Sequence, residues 1–266
     1  MTVRIDDDFS PEKTADSGQC FRAAVLPGGV TRFITGDSVV YLKHIGDCRF
    51  EASCTEDEWE SVWRSYFDLD TSYSDIINDI DNEYFRKAAE AGKGIRILRQ
   101  EPWETLVSFI ISQRKSIPSI KNAIEALAEG FGHTVVTSCE TLRAFPSPVE
   151  LSKASTEQLT GCRLGYRVSY IEDAIRRVCD GSLDLDAVGR LDDEGLISAL
   201  LNVRGGGIKV SSCVALFAYG RKSVAAVDTW IAKIIQREFD GINPFPALGD
   251  AAGVLQQYAY YYARGV

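Results

Sequence analysis

With 266 residues, 45% of them hydrophobic, the chain is long and apolar enough for one large domain or two modest ones with a proper core. No apolar run reaches about 18 residues, which excludes a transmembrane helix, and the acidic, polar opening MTVRIDDDFSPEKTADSGQ reads as neither a signal nor a transit peptide, so a cytosolic protein is expected. The net charge of −9 argues against nucleic acid only on average: residues 1–80 hold 16 acids against 7 Lys/Arg, whereas the remainder holds 22 of each and is free to present a local basic face.

Residues 20–55 alternate apolar and polar positions, with FRAAVL, TRFITG, SVVYLKHI and CRFEAS reading as strands between PGG, GDS and IGD turns. From about residue 56 the pattern turns helical. TEDEWESVWRSYFDL opens with Thr55 as N-cap and Glu58 three residues on, the spacing of a capping box. YSDIINDIDNEYFRKAAEAG, EPWETLVSFIISQ and SIPSIKNAIEALAEGFG follow, the last ended by Gly130 and Gly132. TEQLTGC then leads into GYRVSYIEDAIRRVCDG, whose apolar spacing makes one helical face. DDEGLISALLNV, the apolar segment after Lys209, VDTWIAKIIQREFDG and GDAAGVLQQYAYYYARGV complete the series. The expected fold is therefore α+β and mostly α: an N-terminal antiparallel β-sheet domain over residues 1–82, packed on a helical body over 83–266, with a helix–hairpin–helix near 194–220.

The seven cysteines (20, 48, 54, 139, 162, 179 and 213) are odd in number and never spaced C-x-x-C, which fits free, buried thiols in a reducing compartment. None follows Cys213, which rules out a C-terminal four-cysteine iron–sulfur loop. His44 and His133 are the only histidines and give a zinc site no support.

The stretch NVRGGGIKVSSCVALFAYG carries the most chemistry. An ordinary corner between two helices would account for Gly205, Gly206 and Gly207, because glycine permits positive φ and close backbone approach. The free N–H groups of the next helix would also suit a phosphate. Lys209, however, falls in the first turn of that helix, where partial positive charge disfavours a cation. A nucleophilic lysine must be neutral, so a position poor for a structural lysine suits an amine nucleophile, with a phosphate-binding lysine as the alternative. Asp228 starts the following helix and serves as an ordinary N-cap there. Two antiparallel passes joined by the GRKS turn would bring it toward the end that holds Lys209. An amine and a carboxylate in one pocket equip a lyase or a glycosidase.

GGGIKVSSCVALFAYGRKSVAAVDTW resembles the helix–hairpin–helix–Gly/Pro–Asp signature of the DNA glycosylase superfamily, and within it the 8-oxoguanine DNA glycosylases of the eukaryotic type. SGQCFR, FIISQRKSIPSIKNAI, LGYR and GDAAGVLQQYAYYYAR resemble further segments of that family, in the same order, over nearly the whole chain. The resemblance implies base-excision repair by a bifunctional glycosylase and abasic-site lyase. Lys209 would attack C1′ and hold the sugar as a Schiff base, and Asp228 would stabilise the cationic sugar. It also implies that the Gly18 carbonyl accepts the N7–H that distinguishes 8-oxoguanine, that Gln256 reads the pairing edge, and that Cys213 and Tyr260 sandwich the base beside Phe217. Tyr166 would wedge the duplex, Arg167 read the orphaned base, and Gly205 and Gly207 meet the backbone, while Arg114 would fill the gap in place of the family's usual asparagine. The carbonyls of Leu201, Val203 and Gly206 would hold a sodium or potassium ion, with no other cofactor required. The implied partner is double-stranded DNA bearing a damaged purine, without a membrane, and the implied state a monomer in the bacterial cytosol. A glycosylase for another damaged purine and a non-catalytic DNA-binding module are the alternatives.

Two departures stand out. The family's Leu-Pro-Gly-hydrophobic-Gly hairpin is here Val203-Arg204-Gly205-Gly206-Gly207, so a looser loop is expected. Ser119 stands where the family has an arginine for the opposite cytosine, so a relaxed opposite-base requirement is expected.

Overall fold

The computed structural model describes residues 1–265. Five strands, β1 (Thr2–Arg4), β2 (Ala24–Leu26), β3 (Val30–Thr35), β4 (Ser38–Gly46) and β5 (Arg49–Ala52), form one sheet in the order β1-β5-β4-β3-β2. A two-stranded hairpin, β6 (Thr134–Val136) with β7 (Thr141–Arg143), stands apart from it. The longer helices are α1 (Glu83–Gly92), α2 (Pro102–Ser112), α3 (Ile117–Phe131), α4 (Val168–Cys179), α5 (Asp193–Leu201), α6 (Ile208–Phe217), α7 (Thr229–Glu238) and α8 (Ala252–Ala263).

The chain divides into two compact units that are not consecutive stretches. The first comprises Met1–Ile34, Ser38–Arg99 and everything from Gly220 onward; the second comprises Thr35–Asp37 and Gln100–Tyr219. The boundary expected between residues 82 and 83 thus lies inside the first unit, and the last two long helices belong with the sheet.

In the first unit the sheet is closed by aromatic packing. Phe33, Leu42 and Phe50 from three strands are all but fully buried with Trp59, Trp63 and Phe67. Phe67 is central: its ring meets Phe33 edge-on at 4.9 Å and stacks on Trp63 at 5.8 Å. The expected capping box at Thr55 is half made. Thr55 accepts from the Glu58 amide at 3.2 Å, but the Glu58 carboxylate instead accepts from Trp63 Nε1 at 2.9 Å, and residues 59–63 wind as a π-helix. Helix α1 takes Asn82 as its N-cap and lies against α8. Gly92 allows this approach, since a Cβ there would sit 2.5 Å from the Tyr258 ring, whose hydroxyl donates to the Ile95 carbonyl at 3.2 Å. Arg96 is wholly buried, and its five N–H groups find Phe67, Asp7, Asp8, Asp68 and Thr71 oxygens, the full valence that a buried guanidinium requires.

In the second unit α2 is the axle. Glu101 caps it by accepting from the Trp103 and Glu104 amides, and eight of its residues are buried. Helix α6 packs along it and is buried from Val210 to Phe217, with the Phe109 and Phe217 rings stacked at 5.5 Å. All seven cysteines are free thiols; Cys20, Cys54, Cys162 and Cys213 are buried as expected, whereas Cys48, Cys139 and Cys179 are exposed.

Candidate active site and nucleic-acid interface

In the second unit the glycines do different jobs. Gly205 alone of the three has a left-handed backbone, φ +82°, and a Cβ there would come 2.4 Å from the Tyr170 ring. Gly206 is needed for space, because a Cβ would come 2.4 Å from the Leu200 carbonyl and 2.9 Å from that of Val203. Gly207 is the N-cap of α6, with no side chain to occupy the free amides of the first turn. The missing proline and apolar anchor are offset by tertiary ties. The Arg204 amide donates to Asp173 Oδ2 at 3.0 Å, and the Gly205 carbonyl accepts from Gln113 Nε2 at 3.1 Å. Burial pushes the Asp173 carboxyl up, but the Arg204 amide and the Arg177 and Arg176 guanidiniums outweigh it and hold it down at about 2. Among the carbonyls expected to hold a cation, Val203 accepts from the Gly206 amide and Gly206 from the Ser211 hydroxyl, so each keeps a second lone pair for an ion.

Lys209 lies in the first turn of α6, half-buried. Its Nζ donates to Ser112 Oγ at 3.0 Å and sits 5.1 Å from the Phe109 ring centre. The amine therefore meets a neutral hydroxyl and an aromatic face at the end of α2. Cys213 and Phe217 lie on the buried part of the same helix, each 4% exposed.

Two further segments of this unit carry residues expected at DNA. Arg114 is exposed, on a left-handed backbone with φ +51° just past the end of α2, and Ser119 is exposed nearby in sequence. Tyr166 is 55% exposed on a single 3₁₀ turn and faces Tyr170 edge-on. Arg167 follows Tyr166 in chain and in space. It is buried, its guanidinium lies over the Tyr166 ring at 4.3 Å, and it donates to the carbonyls of Leu164 and Gln113. The residue expected to read the orphaned base thus spends both terminal nitrogens on backbone, while its buried Nε has no hydrogen-bond partner among the described residues.

In the first unit, Asp228 is the N-cap of α7, and Oδ1 alone accepts from the Trp230 and Ile231 amides, each at 2.9 Å. Oδ2 has no hydrogen-bond partner among the described residues. Residues 16–18 meet α8 and the residue just past it in this unit as well. Gly18 has φ +83°, and a Cβ on it would press to 3.1 Å from the Tyr260 ring. Gln257 Nε2 donates to the Ser17 carbonyl at 2.6 Å, and Arg264 donates to that of Asp16 at 2.9 Å. Gln19 is buried, donating to Ser17 Oγ and the Arg96 carbonyl and accepting from the Leu98 amide. Gln256 is 4% exposed, and its Oε1 has no hydrogen-bond partner among the described residues. An orphaned amide oxygen at such depth is costly unless a ligand meets it.

The comparisons with known proteins divide the chain differently from the two units, near residue 106. Residues 2–106 match the family model for the N-terminal domain of 8-oxoguanine DNA glycosylase, and residues 107–243 match that of the HhH-GPD superfamily of base excision DNA repair proteins. The chain belongs to this glycosylase family. A solved structure described as MBOgg1 with a low-affinity DNA ligand superposes with a TM-score of 0.95 at 33% identity, covering 99% of this chain and 95% of that one. The Clostridium acetobutylicum 8-oxoguanine glycosylase/lyase, with duplex DNA carrying cytosine opposite 8-oxoguanine, gives 0.94 at 31% identity, covering 99% and 94%. The N-glycosylase/DNA lyase of Saccharomyces cerevisiae is 28% identical over 73% of this chain and 54% of its own length. The chain therefore spans about half the length of that family member. It spans 72% of the probable N-glycosylase/DNA lyase of Methanothermobacter thermautotrophicus, at 25% identity. Among the described residues no helix is long and apolar enough to cross a membrane.

Sequence reasoning passed over Asp173, Gln113 and Ser112. Asp173 sits three and four residues before Arg176 and Arg177, a spacing that reads as a solvated helical ion pair. Only the fold shows that its second oxygen also holds the hairpin.

Proposed function

We propose that the protein is a bifunctional DNA glycosylase and abasic-site lyase that excises 8-oxoguanine from duplex DNA. The observation that carries this reading is Lys209: an amine in the first turn of the helix after a glycine hairpin, set against a hydroxyl and an aromatic ring. The target nucleotide must leave the stack to be reached. The Lys209 amine would then attack C1′ as the C1′–N9 bond breaks and the base leaves. The resulting aminal opens to a protonated Schiff base. Loss of a C2′ proton expels the 3′-phosphate and nicks the strand. The unpaired Oδ2 of Asp228 would oppose the positive charge that develops on the sugar, while Oδ1 keeps the helix cap.

The buried Gln256 amide and the Gly18 carbonyl would read the base, with Tyr260, Cys213 and Phe217 as walls. The Gln256 Oε1, without a hydrogen-bond partner among the described residues, suits a donor on the pairing edge. Tyr166 and Arg114 would enter the duplex, and the amides at Gly205 and Gly207 would meet its phosphates. The Leu201, Val203 and Gly206 carbonyls would hold a sodium or potassium ion between hairpin and phosphate. We read the enzyme as a cytosolic bacterial monomer. Borohydride reduction during incubation with an 8-oxoguanine duplex tests the reading. A covalent protein–DNA adduct supports it. Base release without an adduct would make the enzyme monofunctional, and binding alone would make it a DNA-binding module.

A further inference from the structure

Three segments expected to touch DNA lie far apart in sequence: the 113–116 loop, the 165–167 turn and the 204–209 hairpin. In the second unit they converge on two consecutive residues at the end of α2. Ser112 Oγ accepts from Lys209 Nζ at 3.0 Å. The Gln113 carboxamide donates to the Gly205 carbonyl and to the Ile110 carbonyl of its own helix, each at 3.1 Å. The Gln113 backbone carbonyl accepts from the Arg167 guanidinium. Arg114 follows at once on a left-handed backbone.

Gln113 spends both amide protons on carbonyls. One is an end carbonyl of α2 that has no intrahelical donor of its own, and the other belongs to the left-handed glycine of the hairpin. This joins the α2 end that presents Ser112 to the loop that starts α6 and presents Lys209. The hairpin has no proline to stiffen it, so its placement relative to α2 rests on such ties.

We propose that Gln113 is a positioning residue for the nucleophile: its carboxamide N–H, clamped on the Gly205 carbonyl, fixes Lys209 Nζ over the end of α2, and Arg167 serves this clamp by holding the Gln113 main chain. The proposal rests on Lys209 being the nucleophile. A misplacement of about an ångström at a reacting group costs on the order of a hundredfold in rate. Loss of the clamp should therefore appear in the chemical step more than in binding.

The test compares the wild-type chain with Gln113→Ala and Gln113→Glu. Glu keeps the shape but cannot donate, and it sets a carboxylate against two carbonyls. Single-turnover excision from an 8-oxoguanine duplex should fall about 10- to 100-fold in Ala and at least as far in Glu, with duplex Kd within about threefold and Tm nearly unchanged. Amide hydrogen exchange at residues 206–210 should quicken in both variants without DNA. Unchanged excision, or Kd, Tm and rate falling together, would overturn the proposal. So would a Glu variant as active as wild type, because the N–H would then be dispensable. If the wild-type chain itself formed no borohydride adduct, the lysine reading would fall, and the exchange measurement would still decide whether Gln113 clamps the hairpin.

Discussion

Asp228 caps α7 through Oδ1 alone, and the function proposed above gives its other oxygen a second job, opposing charge on the sugar. Two substitutions should separate them. Asparagine caps helices about as well as aspartate, so Asp228→Asn can keep both 2.9 Å bonds from the Trp230 and Ile231 amides through its carbonyl oxygen. Its stability should stay within about 0.5 kcal/mol of wild type, the usual range for a substitution that breaks no such feature. Asp228→Ala leaves two amides without their acceptor and should cost about 1 kcal/mol. For a chain of this size that lowers Tm by about 2–4 °C. The charge is lost in both. If the carboxylate stabilises the transition state as an electrostatic group in a desolvated site, its removal costs about 3–4 kcal/mol, roughly 10²–10³ in rate. The assay is single-turnover base release on an 8-oxoguanine duplex beside thermal melting of the same preparations. Asn should melt like wild type and excise like Ala. An Asn variant that excises at the wild-type rate would show that the charge is idle. One that melts as low as Ala would show that the cap depends on charge rather than on geometry.

Lys209→Gln should abolish borohydride trapping and strand nicking while duplex binding in a shift assay stays nearly intact; trapping by this variant would place the nucleophile elsewhere. Gln256→Ala should slow 8-oxoguanine excision by about 1–3 kcal/mol of lost recognition yet spare nicking at a pre-formed abasic site, and equal losses in the two assays would make Gln256 structural. With Ser119 in place of an arginine and Arg167 committed to backbone carbonyls, excision opposite A, G or T should lie within about tenfold, or 1.4 kcal/mol, of excision opposite C; thousandfold discrimination would mean that other residues read the orphan base. Asp173 has its carboxyl held at about 2 against an ordinary 3.8, so its contribution is full above about pH 4 and fades as pH falls toward 2. The Tm advantage of wild type over Asp173→Asn should accordingly shrink between pH 6 and pH 2.5, and an advantage independent of pH would refute the assignment.

What could be read from the sequence depended on how local the cause was. The caps at Asn82, Asp228 and Thr55 are set by a side chain and an amide two or three residues away, and the helices they open fall within the helical stretches read from sequence. Strand β1 was not legible, because three residues acquire strand character only by pairing with β5, with Val3 opposite Phe50. Glu58 follows the capping-box pattern, but the tertiary position of Trp63 claims its carboxylate. The site residues came from resemblance to a family, and that route has its own blind spot. It assigned Arg167 a role by alignment, while the side chain's actual partners, two carbonyls on separate segments, are visible only once the 113–116 loop is folded beside it. Asp173 and Gln113 were missed for the same reason: their decisive bonds span 31 and 92 positions.

The first unit is built from stretches on both sides of the second, so the two units are completed at different times during synthesis. The segment from Gln100 to Tyr219, with the hairpin and Lys209, is fully synthesised before Gly220 is added, when the first unit still lacks α7 and α8. At about 5–20 residues per second, the stretch from 220 to 266 takes roughly 2–10 s to add. During that interval the Gly92 face of α1 has no Tyr258 to cover it, and Ser17 has no Gln257. A nascent or prematurely stopped chain would thus carry the Lys209 amine without Gln256 and Tyr260, the residues proposed above to read the base. The long-range closure of Ser17 on Gln257, 240 positions apart, is the kind of contact that slows folding and leaves apolar surface for chaperones to shield.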